Sequence, residues 1–158
     1  MVVIGFDPGS IRFGLGILKK EPNRILYLYS EEIKLNDTPF NQRMKTLWHR
    51  LERLYREFPI ASAAIEDGFL GKNVKSMNVL STVRGVVLGS LLSAGIDLDY
   101  YSPRQVKLAL TGNGNAPKPQ VEKTIRMFLN LHSREQKELG ADESDALAVA
   151  YCHSLNVK

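Results

Sequence analysis

Cysteine is nearly missing from this chain: Cys152 stands alone among 158 residues. An intrachain disulfide is therefore excluded, and a structural zinc site built on thiolates is not expected. Histidine is also scarce, and positions 49, 132 and 153 lack ligand spacing. No apolar run is long enough and clean enough to read as a membrane span. The most apolar stretch, residues 79 to 96, is broken by Arg84 and spaced by glycines and serines. The amino terminus enters an apolar run directly, without a basic region and cleavage site, so the expectation is a cytoplasmic protein with no membrane attachment. Repeats and low-complexity segments are lacking too, and length and 44% hydrophobic composition suit one domain over residues 1–158.

The charge that is present is modest, +4 overall with a pI near 9.2, and it is unevenly placed. Lys72, Lys75, Arg84, Arg104, Lys107, Lys118, Lys123 and Arg126 face only Asp97, Asp99 and Glu122 in the same segment. This is the part expected to face a polyanion.

Hydrophobic patterning predicts three strands, Val2 to Asp7, Phe13 to Lys19 and Arg24 to Ile33, with short connections that imply an antiparallel meander. Thr38-Pro39 supplies an N-cap and a first-turn proline for a helix running to Phe58-Pro59. Ala61 to Glu66 and Ile96 to Tyr101 are short apolar segments reached through helices, the pattern of parallel buried strands. Between them the helix from Val74 to Ala94 is apolar on more than one stripe and must be covered on both sides. Other helices of the same chain would do this; so would a second copy, with Gly85 and Gly89 allowing close approach. Ser102-Pro103-Arg104-Gln105 has the form of a capping box, and Pro117-Lys118-Pro119 opens a further helix.

Four carboxylates stand out. Asp7 closes the first apolar strand before Pro8-Gly9-Ser10, and Glu66 closes a second, where an unpaired buried charge would cost several kcal/mol. Asp142 and Asp145 lie three apart before the apolar run Ala146 to Tyr151, so both project from the first turn of a helix. Taken alone, that pair reads as ordinary capping. If all four converge, oxygen-only ligands without cysteine or histidine suit Mg²⁺ or Mn²⁺. Two ions sharing Asp7 would then activate water for in-line attack on a phosphodiester.

Gly5-Phe6-Asp7-Pro8-Gly9-Ser10, Ile65-Glu66 with Phe69 and Lys72-Asn73, Arg84-Gly85, Arg104-Gln105-Val106-Lys107, the Gly112 to Lys118 loop with Gln120-Val121, and Ala141-Asp142 with Asp145-Ala146-Leu147-Ala148 occur in that order. Together they resemble the bacterial RuvC crossover-junction endonuclease family over nearly the whole chain. The resemblance implies an α/β, ribonuclease H-like fold: a mixed five-stranded sheet, three strands antiparallel and two parallel, flanked by helices. It also implies a homodimer that resolves four-way DNA junctions by paired symmetric nicks, working with the RuvA and RuvB branch-migration proteins.

By the same resemblance Asp7, Glu66, Asp142 and Asp145 are the catalytic metal ligands, two ions per site. Phe69, Lys72, Arg84, Arg104, Lys107 and Lys118 form the DNA-binding set. Phe69 matches an aromatic that stacks on junction bases, although a phenylalanine here could also anchor its loop. Two features depart from the family pattern: Asp67, followed by Gly68, stands where glutamine is common, and Pro117 and Pro119 flank Lys118. All four acids are kept, although the position of Asp142 takes histidine in some members.

Rival readings are another nuclease of this fold, acting on RNA:DNA hybrids or on ribosomal RNA as RuvX-type factors do, and a DNA-binding module without catalysis. An actin-like ATPase, suggested by Asp7-x-Gly9 with Gly14 and Gly16, needs two such domains, for which the chain is too short.

Overall fold

The computed structural model describes residues 1–9, 11–35, 38–67, 74–131 and 139–157, the side chain of Lys75 excepted. Phe69 and Lys72 lie outside them. Strands β1 (Val2–Asp7), β2 (Arg12–Glu21), β3 (Arg24–Lys34), β4 (Ile60–Glu66) and β5 (Asp97–Tyr101) form one sheet in the order β3-β2-β1-β4-β5. The β1–β2 and β2–β3 pairs are antiparallel, and β1–β4 and β4–β5 are parallel. This is the ribonuclease H-like arrangement that the resemblance implies. Glu21 pairs with Arg24, so the hairpin turn is the two residues Pro22 and Asn23.

Two layers of helices cover the sheet, and the alternation of side chains along each strand decides which layer a residue joins. Val2, Ile4 and Phe6 of β1 face α1 (Phe40–Glu57) and α2 (Val74–Ala94), packing with Leu47, Leu51, Leu54, Val83, Val87 and Leu91. Val3, Leu18 and Ala64 face α3 (Pro103–Thr111), α4 (Lys118–Phe128) and α5 (Ala141–Asn156), with Val106, Ile125 and Leu147.

Three expectations need correction. Thr38 does not cap α1: the helix starts at Phe40 with Pro39 in the cap position and no side-chain hydrogen bond. The fifth strand starts at Asp97, because Gly95 (φ +69°) and Ile96 close α2 instead, the Ile96 amide donating to the Leu91 carbonyl at 3.0 Å. Finally, the described residues of this chain cover α2 on one side only. Val83, Val87 and Leu91 are buried while Leu92 is 68% exposed, and Ser81, Gly85 and Leu88 are exposed on the same stripe. Gly89 faces Trp48 of α1, whereas nothing lies within 4 Å of a side chain placed at Gly85. By length and composition Ser76–Ala94 could cross a membrane; here its inner stripe is part of the core.

Candidate active site

The carboxyl ends of β1 and β4 lie side by side, since the parallel register sets Phe6 beside Ile65. The next residue on each strand is an acid, Asp7 on one and Glu66 on the other. Such strand ends are where ligands of open α/β sheets bind. The remaining two acids arrive on α5, which lies across β1 and β2. Glycine makes that approach possible: a Cβ on Gly5 would stand 2.5 Å from the Ala146 carbonyl oxygen, and one on Gly14 would overlap the Asp142 carbonyl. Gly16, which pairs with Gly5, leaves room for Leu147, 2.7 Å from where its Cβ would be. Gly14 in turn pairs with Asp7. A strip of missing side chains thus brings the first turn of α5 down onto the end of β1. The sequence signal for it is the two-residue spacing of Gly14 and Gly16, which place on one face of β2.

The capping role open to Asp142 and Asp145 belongs to the residue between them. Glu143 is buried; its carboxylate accepts from the Gly140 amide at 2.9 Å and from the Ser30 hydroxyl at 3.1 Å. Asp142 and Asp145 turn toward Asp7 instead, and one carboxylate oxygen from each of the three lies within 4.8 Å of the others. Glu66 is outside that tight group but close by. It lines a cleft of about 270 Å³ with Asp145, Lys107, Lys118, Val106 and Val121.

Burial and mutual repulsion both act against these charges. Burial pushes the Asp7 carboxyl from 3.8 up to about 7, and the negative charges of Asp145, Glu66 and Asp142 add to the effect, against a partial offset from Lys118. Glu66 is also raised, by burial first and then by Asp145, with Lys107, Lys118 and Arg84 opposing. The ammonium of Lys118 sits 2.5 Å from Asp145 and is held above its usual pKa by that bond. One lysine cannot balance the cluster. The donor set fits a divalent cation: all ligands are hard oxygens, they converge from three directions, and their uncompensated charge calls for a cation.

The family model for the crossover junction endodeoxyribonuclease RuvC matches residues 3–153. This chain belongs to the RuvC family. Its curated relatives include RuvC of Marinobacter nauticus, 36% identical over 97% of this chain and 85% of the relative. RuvC of an Anaeromyxobacter species is 39% identical over 97% of this chain and 80% of its own length. Among solved structures, Thermus thermophilus RuvC in complex with a Holliday junction substrate superposes with a TM-score of 0.89 at 29% identity, covering 98% of this chain and 93% of that one. The family is nucleolytic and depends on divalent metal, and the acidic cluster is able to bind it.

The basic residues expected on DNA divide into groups in this RuvC-family structure. Lys107 and Lys118 line the cleft beside the acids. Arg104 is exposed on α3, its stem packed where Gly114 has no side chain, 2.6 Å from the site of a Cβ. Arg84 is turned inward, with Nη2 donating to the Glu66 carbonyl at 2.7 Å and Nη1 3.5 Å from Asp67. Arg126, from the same basic segment, binds Glu122 at 3.1 Å and the Leu139 carbonyl at 2.9 Å, fastening the approach to α5.

Proposed function

We propose that this chain is a Holliday-junction resolvase, a single-domain endonuclease that makes paired symmetric nicks in four-way DNA junctions during recombination and repair. The observation that carries the reading is the convergence of Asp7, Asp142 and Asp145 within 4.8 Å, with Asp145 also lining a cleft shared with Glu66, Lys107 and Lys118, in a chain of the RuvC family. Asp7, Glu66, Asp142 and Asp145 are the metal ligands in this reading, for two ions of Mg²⁺ or Mn²⁺. Bound there, the ions supply an activated water and a stabilised leaving oxygen for attack on phosphorus.

The remaining work falls to the chain itself. Asp7, at the rigid end of a buried strand, fixes the point where the other acids meet. Lys118, already on Asp145, is placed to offset charge that develops on the phosphate, and Lys107 does the same from the Glu66 wall. Phe69 stacks on opened bases, and Lys72 and Arg104 hold the flanking backbone.

Two copies pair through the exposed stripe Ser81, Gly85, Leu88 and Leu92 of α2, a mix of small and apolar residues left uncovered by the described residues of one chain. A two-fold axis there sets two cleavage sites on two symmetric strands of one junction. The setting is the cytoplasm, with RuvA and RuvB as partners on the same DNA.

The test incubates the protein with end-labelled four-way junction, linear duplex and RNA:DNA hybrid, in Mg²⁺, Mn²⁺ or EDTA, beside Asp7→Asn. Symmetric nicks on the junction alone, dependent on metal and absent with the variant, are the expected result. Cleavage of the hybrid instead would make it another ribonuclease H-like nuclease, and junction binding without any cleavage would leave a DNA-binding module.

A further inference from the structure

Arg84 approaches the acids from the opposite face of the sheet. Along β4, Ala64 packs with the α3–α5 layer, and Ala63 and Ile65 with the α1–α2 layer. Glu66 therefore points to the α5 side, where it lines the cleft with Asp145, and Asp67, one residue on, falls to the α2 side. Arg84 of α2 meets the chain at this step. Its Nη1 is 3.5 Å from the Asp67 carboxylate and its Nη2 donates to the Glu66 carbonyl at 2.7 Å. The Asp67 amide is fastened from β5, donating to the Tyr101 carbonyl at 2.7 Å. The peptide between the two acids is thus gripped from both sides. The guanidinium is well enclosed, its side chain 22% exposed, and its planar fork supplies the two directed contacts that a lysine cannot.

This hold matters because Glu66 is the acid that stands outside the tight group of Asp7, Asp142 and Asp145. Its carboxylate reaches them only if the last peptide of β4 keeps its orientation. Asp67 is also a fifth carboxylate within one residue of the site.

We propose that Arg84 is a positioning residue for the cleavage reaction: by holding the Glu66 carbonyl and keeping Asp67 on the far face of the sheet, it sets Glu66 against the other acids and withholds the extra carboxylate from the metal. This rests on the nuclease reading above and assigns Arg84 a task different from contact with DNA.

The experiment compares wild type, Arg84→Lys, Arg84→Ala and the double variant Arg84→Ala with Asp67→Asn. Three quantities are measured: Mn²⁺ binding by the protein alone, single-turnover junction cleavage against Mn²⁺ concentration, and junction binding in EDTA. Arg84→Ala is expected to need about 10- to 100-fold more Mn²⁺ for half-maximal cleavage and to bind Mn²⁺ correspondingly less tightly. Its junction binding in EDTA stays that of wild type, Arg84→Lys recovers only part of the loss, and the double variant recovers part by removing the stray charge.

Weaker junction binding in EDTA with an unchanged Mn²⁺ dependence would place Arg84 on the DNA and overturn the proposal. So would an Arg84→Ala protein indistinguishable from wild type in all three measurements. If Arg84→Ala loses its cooperative thermal melt, Arg84→Lys carries the comparison. Failure of the wild-type protein to cut any substrate would sink the nuclease reading, while Mn²⁺ binding by the Arg84 variants would still decide the positioning role.

Discussion

Helices α2 and α5 are both apolar nearly all the way round, yet they end in different places. In α5, the run Ala146 to Ala150 is buried without interruption, together with Cys152 and His153. In α2, Val83, Val87 and Leu91 are fully buried on one stripe while Leu88 and Leu92 on another are exposed. Composition does not distinguish them. What does is the surface each meets: α5 rests on a strip of glycines that lets its backbone sink onto β1 and β2, and α2 rests on α1 through Trp48 with its outer side uncovered by the described residues. A greasy helix therefore states only that something covers it, and the partner surface decides whether the cover is the same chain.

Several substitutions would break this contrast. Leu147→Ala in α5 removes a side chain with no exposure and is expected to cost about 2–5 kcal/mol in urea-induced unfolding. Gly14→Ala drives a methyl into the Asp142 carbonyl and shifts α5 off the end of β1. A displacement near 1 Å there should slow cleavage by about a hundredfold, seen in single-turnover rates with saturating metal. At the other helix, Leu92→Lys should abolish the proposed pairing and leave a monomer in sedimentation experiments, while changing the unfolding free energy of the isolated monomer by less than about 0.5 kcal/mol. A dimer that survives this change would remove α2 from the interface.

The acids under α5 sharpen the same contrast through pH. With its pKa raised from 3.8 to about 7, native Asp7 keeps a proton that the unfolded chain has already lost across that interval. Stability of the metal-free protein should therefore fall as pH rises between those values and level off above them. Added Mn²⁺ at pH 8 should restore it, and Asp7→Asn should flatten the slope to the part left by the raised Glu66 and weaken the metal effect in thermal melts.

Much of this site was legible in the chain because Asp7 and Glu66 each close an apolar strand, a place where a carboxylate needs a reason. Strand types followed from connection length, and Ser102 caps α3 through Gln105 as its pattern foretells. Asp142 and Asp145 were ambiguous because capping and metal binding use the same residues at the same spacing. The side chain of Glu143, invisible as a rival until the helix start at Gly140 was fixed, resolves the ambiguity. The spacing of Gly14 and Gly16 marks one face of β2 but not the element that crosses it, and the inward turn of Arg84 has no local signal. Both depend on which element lies across which strand.

The four acids are drawn from the first strand, the fourth strand and the last helix of the fold, so the site is a property of closure. During synthesis Asp7 is made early and waits, its strand end without Asp142 and Asp145 until α5 has docked. A nascent or truncated chain lacking that helix carries Asp7 and Glu66 without the other two acids. In a nuclease of the RuvC family the metal site is thus complete only once the chain has finished folding.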